Sequence, residues 1–410
     1  MGIIVQKFGG TSVADAEKIH RAARRAIRAK LDGHQVVLAV SAMGKTTDQL
    51  IDLARQVHDS PPKREMDMLL TTGEQISIAL MAMAIHAAGH EAISLTASQV
   101  GLVTDSSHTK ARIQEINIQR IRSELDAGRI AIVAGFQGTD ARGEITTMGR
   151  GASDTTAVAL AAVLGAELCE IYTDVDGVYT TDPRIVPQAR KIDRISYNEM
   201  LELASLGAGV MHSRAIEFGL KYNVPIHVRS SLTDTPGTMI VAETEGMEAI
   251  AVRGATLSRK LARVFLKGVP NEPGMAARIF AHIGRHNVVV DDIIQVSQPE
   301  AEKADLGFTV NADEAAEAKI VCEDIAKELG FDAVEVDNDV AKVSVVGIGM
   351  RTHTGVAAKM FGALADGGIS IEDITTSEIV IGCLIRRADA DRALQLVHKA
   401  FALDQEPDAA

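Results

Sequence analysis

Short runs of β-branched and aliphatic residues alternate along the chain with longer stretches whose apolar positions recur at helical spacing. Strands are predicted at Ile3–Val5, Val36–Val40, Ala92–Leu95, Ile130–Ala134, Glu170–Tyr172 and Ile226–Arg229. Helices are predicted near Ala16–Leu31, Thr47–Val57, Ala157–Leu164, Tyr197–Leu206 and His212–Tyr222, and Thr72-Gly73-Glu74-Gln75 reads as the opening of another. Parallel neighbours need a crossover long enough to hold a helix, so this alternation marks an α/β fold with a mostly parallel sheet. The unit closes around Glu243–Gly246.

Beyond it the chain repeats itself. Gly274-Met275-Ala276-Ala277-Arg278-Ile279-Phe280 matches Gly355-Val356-Ala357-Ala358-Lys359-Met360-Phe361, an offset of 81 residues, and Val288–Ile293 matches Ile369–Ile374 in the same register. Each repeat reads strand, glycine-started helix, strand, strand, helix, and the first adds a closing strand at Ala333–Val336. The second ends in the helix Ala390–Phe401 without such a strand. The unclaimed strand Ala249–Arg253 is expected to complete it, which makes repeat one an insertion in repeat two.

Composition narrows the function. A net charge of −13 argues against a broad nucleic-acid-binding surface, and nine Phe, four Tyr and no Trp leave little for base stacking. Apolar and charged contents of 46% and 24% are those of an ordinary globular chain. Cys169, Cys322 and Cys383 are far apart and odd in number, as expected for free thiols in a reducing compartment, and they offer no zinc spacing. The longest apolar stretch, Ala79–Ala88, contains His86 and is too short to cross a bilayer. The expectation is a cytoplasmic protein with neither membrane nor nucleic acid as partner.

The candidate chemistry sits where strands end. Lys7-Phe8-Gly9-Gly10-Thr11-Ser12 follows the first strand, and its glycines let backbone N–H groups approach phosphate oxygens while Lys7 adds a cation. Its spacing is neither that of a Walker A loop nor that of a dinucleotide fingerprint. Gly149-Arg150-Gly151-Ala152-Ser153-Asp154-Thr155-Thr156 precedes an apolar helix, with Ser153 and Asp154 as its expected N-caps. Ser41-Ala42-Met43-Gly44-Lys45-Thr46-Thr47-Asp48 lies at a further strand end. In open α/β sheets ligands bind at the carboxyl ends of the strands, where these loops converge.

Taken together with Tyr172-Thr173-Asp174-Val175-Asp176-Gly177-Val178-Tyr179-Thr180-Thr181-Asp182-Pro183-Arg184, these segments resemble the aspartate kinases over nearly the whole chain, and the repeats resemble that family's paired ACT modules. The resemblance implies an amino-acid-kinase fold, its mostly parallel sheet sandwiched by helices, with two ferredoxin-like βαββαβ ACT units. The domains would be 1–247 for the kinase, 264–337 for the inserted ACT unit, and 248–263 with 338–404 for the second. It also implies transfer of phosphate from ATP, with Mg²⁺, to L-aspartate, giving 4-phospho-L-aspartate and ADP. An ionised carboxylate needs no general base to attack; the difficulty is bringing two anions together.

By the same resemblance Lys7 neutralises the transferring group beside the N–H groups of Gly9 and Gly10, Phe8 joins these three in binding ATP, and Asp154 orients Lys7. Arg150 takes a substrate carboxylate, Glu74 holds the α-ammonium, and Ser41, Thr47 and Ser153 line the substrate end. Thr173, Asp174, Tyr179, Asp182 and Arg184 hold the nucleotide. The ACT units imply feedback by lysine, threonine or both through Asn271, Gly274, Asp291, Gln295, Ser377 and Glu378, in a homodimer or larger homo-oligomer. No protein-borne metal site is implied.

This chain also departs from the family pattern. Gly209 stands where many relatives carry a lysine, and Asp292 and Asp373 fill matching repeat positions that are often apolar, where they could face solvent, a partner subunit or an effector cation. The altered positions keep two other readings open, a catalytically weak amino-acid sensor and a family member acting on another substrate.

Overall fold

The structure is a computed structural model that describes residues 2–149, 151–243, 246, 249–296 and 302–406. It forms two compact units, residues 1–179 with 191–247, and residues 180–190 with 248–410.

In chain order the first unit runs β1 (Ile3–Phe8), α1 (Ala16–Leu31), β2 (Gln35–Val40), α2 (Thr46–Val57), α3 (Lys63–Ala87), β3 (Ala92–Leu95), β4 (Leu102–Thr104), β5 (Ile113–Ile116), α4 (Gln119–Asp126) and β6 (Ile130–Ala134). It continues with β7 (Gln137–Thr139), β8 (Ile145–Thr147), α5 (Ala152–Leu164), β9 (Leu168–Thr173), β10 (Val178–Tyr179), β11 (Lys191–Ile192), β12 (Arg194–Ser196), α6 (Tyr197–Ser205), α7 (Ser213–Tyr222), β13 (Ile226–Ser230) and β14 (Thr238–Val241). Eight strands form the main sheet in the order β12-β14-β13-β9-β1-β2-β6-β3, with only the β13–β14 pair antiparallel. From β1 the chain goes first to β2 on one side and later to β9 on the other. The carboxyl end of β1 is therefore the switch point at which such sheets open a ligand crevice.

Local chemistry explains the main elements. Asp15 caps α1 by accepting from Lys18 N at 2.9 Å, and Ser196 and Glu199 form a reciprocal capping box on α6. Nearly every residue of α5 is buried, as expected of a helix apolar on all sides, and Gly165 ends it in the left-handed region at φ 64°. α3 is long and apolar enough to cross a bilayer by composition, but 56% of its most apolar window is buried inside the unit, which makes it a core helix.

Two expectations about the first unit are corrected, and one sheet falls outside them. Thr72-Gly73-Glu74-Gln75 does not open a helix but lies in the middle of α3, because its polar residues turn inward. Ser153 and Asp154 are not N-caps: Gly151, at φ 76°, caps α5, and both side chains belong to its first turn. The small sheet β5-β4-β7-β8 was not anticipated, since its strands of three or four residues are too short to display alternation.

The second unit contains β15 (Gly254–Ser258), β16 (Leu261–Pro270), α8 (Met275–Arg285), β17 (Val290–Val296), β18 (Lys303–Asn311), α9 (Ala315–Leu329), β19 (Ala333–Asp337), β20 (Val340–Val346), α10 (Val356–Asp366), β21 (Asp373–Thr376), β22 (Val380–Arg386) and α11 (Ala390–Ala400). Two antiparallel sheets result, β17-β18-β16-β19 and β15-β20-β22-β21. The strand beside β20 is Gly254–Ser258 and not Ala249–Arg253. Ala251 and Val252 of the apolar run are spent on core packing, whereas polar Thr256 and Ser258 pair with Ser344 and Lys342. α8 and α9 cover one sheet, α10 and α11 the other. α8 and α10 keep the 81-residue offset at both ends, each starting from a left-handed glycine, Gly274 at φ 91° and Gly355 at φ 84°.

Asp292 and Asp373 are both part-buried in ion pairs that cross between the repeats. Asp292, on the first repeat, grips Lys342 of the second at 2.7 and 2.8 Å, and Asp373, on the second, meets Arg263 of the first at 3.0 Å. The pairs are reciprocal across the repeat, tying the two sheets together.

Candidate active site

Lys7 leaves the end of β1 between its parallel neighbours β2 and β9, opposite Ala39 and Ile171. Its Nζ lies 2.7 Å from Oδ1 of Asp154, with side-chain exposures of only 12% and 8%. Asp154 projects from the first turn of α5, and its Oδ2 accepts from His212 N at 3.2 Å. A half-buried cation held by a fixed carboxylate is preorganised, since it needs no rearrangement when an anion arrives. Phe8 is fully buried and stacks on Tyr172 of β9 at 4.9 Å, locking the strand beneath it. Gly10 must be glycine: a Cβ there would lie 2.7 Å from Ala42 O. The N–H of Gly9 donates to Tyr172 O at 3.3 Å.

Ala42 joins this loop to Glu74. Its N–H donates to Glu74 Oε1 at 3.1 Å, and Gly73 permits the approach because a Cβ would sit 2.9 Å from Ala42 Cβ. Glu74 is 3% exposed, and its Oε2 has no hydrogen-bond partner among the described residues. Burial pushes its carboxyl up to about 7, against which the Ala42 N–H pulls only partly. A buried carboxylate oxygen without a donor is costly alone and is satisfied by an incoming ammonium.

Ser41, half-buried, donates its N–H to Phe8 O at 3.1 Å, and Thr47 stands in the first turn of α2. Ser153 is buried in the first turn of α5 against Gly135, where a Cβ would lie 2.7 Å from its Oγ. Arg150 lies outside the described residues. The residues just before it, Thr147 and Met148, are held by two groups outside the sequence motifs. Fully buried Asp67 accepts from Thr147 Oγ1 at 2.6 Å and from Thr109 N at 3.1 Å, and lies 2.7 Å from His108 Nδ1. Arg214 donates to Met148 O and Ala111 O. Asp67 stands seven residues before Glu74, two turns earlier on the same face of α3, and that spacing was the available signal.

Of the nucleotide candidates, Thr173 Oγ1 donates to Asp174 Oδ1 at 3.1 Å, and Tyr179 Oη donates to Asp176 Oδ1 at 2.8 Å. Asp182 and Arg184 belong to the other unit and pair with each other in a bidentate contact at 2.7 and 2.9 Å. That hydrogen bond keeps the Asp182 carboxyl below its ordinary range. Gly209 is exposed with open space where a side chain would begin.

In the second unit, a cavity of about 400 Å³ is bounded by Asn271, Gly274 and Gln295 together with Pro270, Met275 and Leu306. Three of the six effector candidates thus come together near the start of α8, and a helix N-terminus suits a carboxylate. Asp291 is exposed on β17, outside that lining, and Ser377 and Glu378 lie on the second repeat, with Glu378 3.5 Å from Arg351.

The site combines a mostly parallel sheet with a lysine, two residues ahead of a Gly-Gly pair, at the switch point, and known families share this arrangement. Residues 2–230 match the amino acid kinase family and residues 343–401 match an ACT domain. An aspartokinase of Bacillus sp. (strain MGA3) is 49% identical over 403 residues, 98% of each chain. E. coli aspartokinase III in complex with aspartate and ADP (R-state) is 26% identical with a TM-score of 0.83, covering 97% of this chain and 99% of that one. The same enzyme with lysine and aspartate (T-state) is 25% identical with a TM-score of 0.74, over 97% and 99%. The chain belongs to the aspartokinase family.

Proposed function

We propose that this chain phosphorylates the β-carboxylate of L-aspartate with ATP, giving 4-phospho-L-aspartate and ADP, as the first step of lysine, threonine and methionine biosynthesis. The observation that carries the reading is two charged groups tied to the loops at the carboxyl ends of β1 and β2: the Lys7 cation, oriented by Asp154, and buried Glu74, held by the Ala42 N–H and with one unclaimed oxygen. Lys7 offsets charge on the transferring phosphoryl group, Glu74 takes the α-ammonium, and Arg150 takes a carboxylate by its planar fork. Ser41, Thr47 and Ser153 border the aspartate, and Thr173, Asp174, Tyr179, Asp182 and Arg184 bear on the nucleotide. The described residues hold no cluster of three His, Cys, Asp or Glu side chains able to bind a metal. Mg²⁺ would accompany ATP and would supply charge neutralisation at its phosphates.

The domains are taken as 1–247, 264–337, and 248–263 with 338–404, working in the cytoplasm as a homodimer or larger homo-oligomer. The cavity at Asn271, Gly274 and Gln295 receives an amino-acid effector, lysine or threonine, that lowers activity. ADP release measured with aspartate, glutamate, N-acetylglutamate and carbamate tests the substrate. Turnover confined to aspartate is expected; turnover on another acceptor alone, or on none while an amino acid still binds, rejects the reading.

A further inference from the structure

The stretch 180–190 leaves the first unit at Tyr179 and returns to it at Lys191, two residues paired across β10 and β11. Between those points the second unit dictates its conformation. Thr180, fully buried, accepts at its carbonyl from Ala255 N of β15 at 2.7 Å. Its Oγ1 accepts from Arg190 N at 3.0 Å and lies 3.0 Å from Nε2 of His398, itself buried on α11. Ile185 and Val186 are packed into the apolar core built by α10, α11 and their sheet. Gln395 of α11 donates to Ile185 O at 3.2 Å. The carbonyl of Asp182 receives N–H groups from both Ile185 and Val186, at 3.0 Å each.

The turn bearing Asp182 and Arg184 is thus fastened at its base by His398 and along its descending side by Gln395. We infer that His398 and Gln395, on the last helix of the regulatory unit, are positioning residues for the nucleotide: they fix Thr180 and Ile185, and through them the Asp182–Arg184 turn. The inference rests on the reading of that turn as nucleotide-facing. Burial holds the His398 imidazole below its ordinary range, so near neutral pH the contact with Thr180 is a neutral hydrogen bond.

The test is steady-state kinetics on the full chain with His398→Phe, His398→Gln, Gln395→Ala, Thr180→Val and Asp182→Ala, each checked for an unchanged melting transition. One lost hydrogen bond in such a network corresponds to about 2- to 10-fold. His398→Phe and Thr180→Val should raise the KM for ATP by about that factor and leave the KM for aspartate within about twofold. His398→Gln, which keeps a donor and an acceptor, should recover most of the loss. Gln395 is exposed, so Gln395→Ala removes one donor without opening the core and decides the matter if His398→Phe does not fold. If Asp182→Ala raises the ATP KM while the α11 variants leave it unchanged, or move both KM values together, the positioning role is wrong and the nucleotide reading stands. If Asp182→Ala leaves the ATP KM unchanged, the nucleotide reading of the turn fails, and the inference with it.

Discussion

At the scale of single residues, the account turns on three positions. Removing the cation with Lys7→Ala should cost at least about 10²–10³-fold in kcat, the size expected for one preorganised contact to developing charge. A variant that keeps more than about a tenth of the turnover removes Lys7 from that role. Glu74 makes a pH prediction. Its carboxyl sits near 7 in the free enzyme, and only the ionised form attracts an ammonium, so kcat/KM for aspartate should rise as pH passes upward through about 7. Glu74→Gln should raise the aspartate KM more than the ATP KM and abolish that limb; a limb that survives belongs to another group. Linkage runs in the opposite sense for stability: the stabilisation from the proton held by buried Glu74 is full below about 4.5 and is lost as pH rises through about 7. Gly209 offers a gain instead of a loss. Because a side chain there meets nothing, Gly209→Lys should fold normally and lower the ATP KM, and an unchanged ATP KM would show that the family's lysine has no counterpart role in this chain.

Elements explain why some of this was readable in the chain and some was not. β6 is a run of aliphatic residues buried on both faces of a parallel sheet, so its extent follows from composition alone, and α1 carries its cap and its amphipathic stripe in sequence; β1 runs three residues past its aliphatic start, through Gln6 and Lys7. α3 conceals its centre because Asp67, Thr71, Glu74 and Ser77 point into the protein, where a periodicity argument expects apolar side chains. Glu74 was still identifiable through its motif, whereas the support from Asp67 depends on three-dimensional neighbours about 40 and 80 residues further on. The repeat was legible as an 81-residue offset, but the alternate pairing of Asp292 with Lys342 and Asp373 with Arg263 was not, since identical registers say nothing of what faces across. Lys342 has only 8% side-chain exposure, so Asp292→Ala should destabilise the second unit by about 3–5 kcal/mol by stranding a buried charge. Asp292→Leu combined with Lys342→Met should recover much of that in thermal or denaturant unfolding, and a double variant no better than the single one would contradict this.

For the molecule as a whole, chemistry and regulation are divided between two units, yet the chain does not respect that division. The stretch 180–190, contiguous in sequence with the nucleotide motif, is built into the regulatory core through Ile185 and Val186. Sequence placed Asp182 and Arg184 with Thr173 and Asp174 because they are neighbours along the chain; only packing reveals that a different hydrophobic core holds them. The central claim remains that of an acyl phosphate made on aspartate. Its most direct measurement is trapping with hydroxylamine: enzyme, ATP, Mg²⁺ and L-aspartate should yield aspartate β-hydroxamate in step with ADP, and Lys7→Ala should depress both together. ADP formed without hydroxamate, or hydroxamate formed from another acceptor and not from aspartate, would contradict the account.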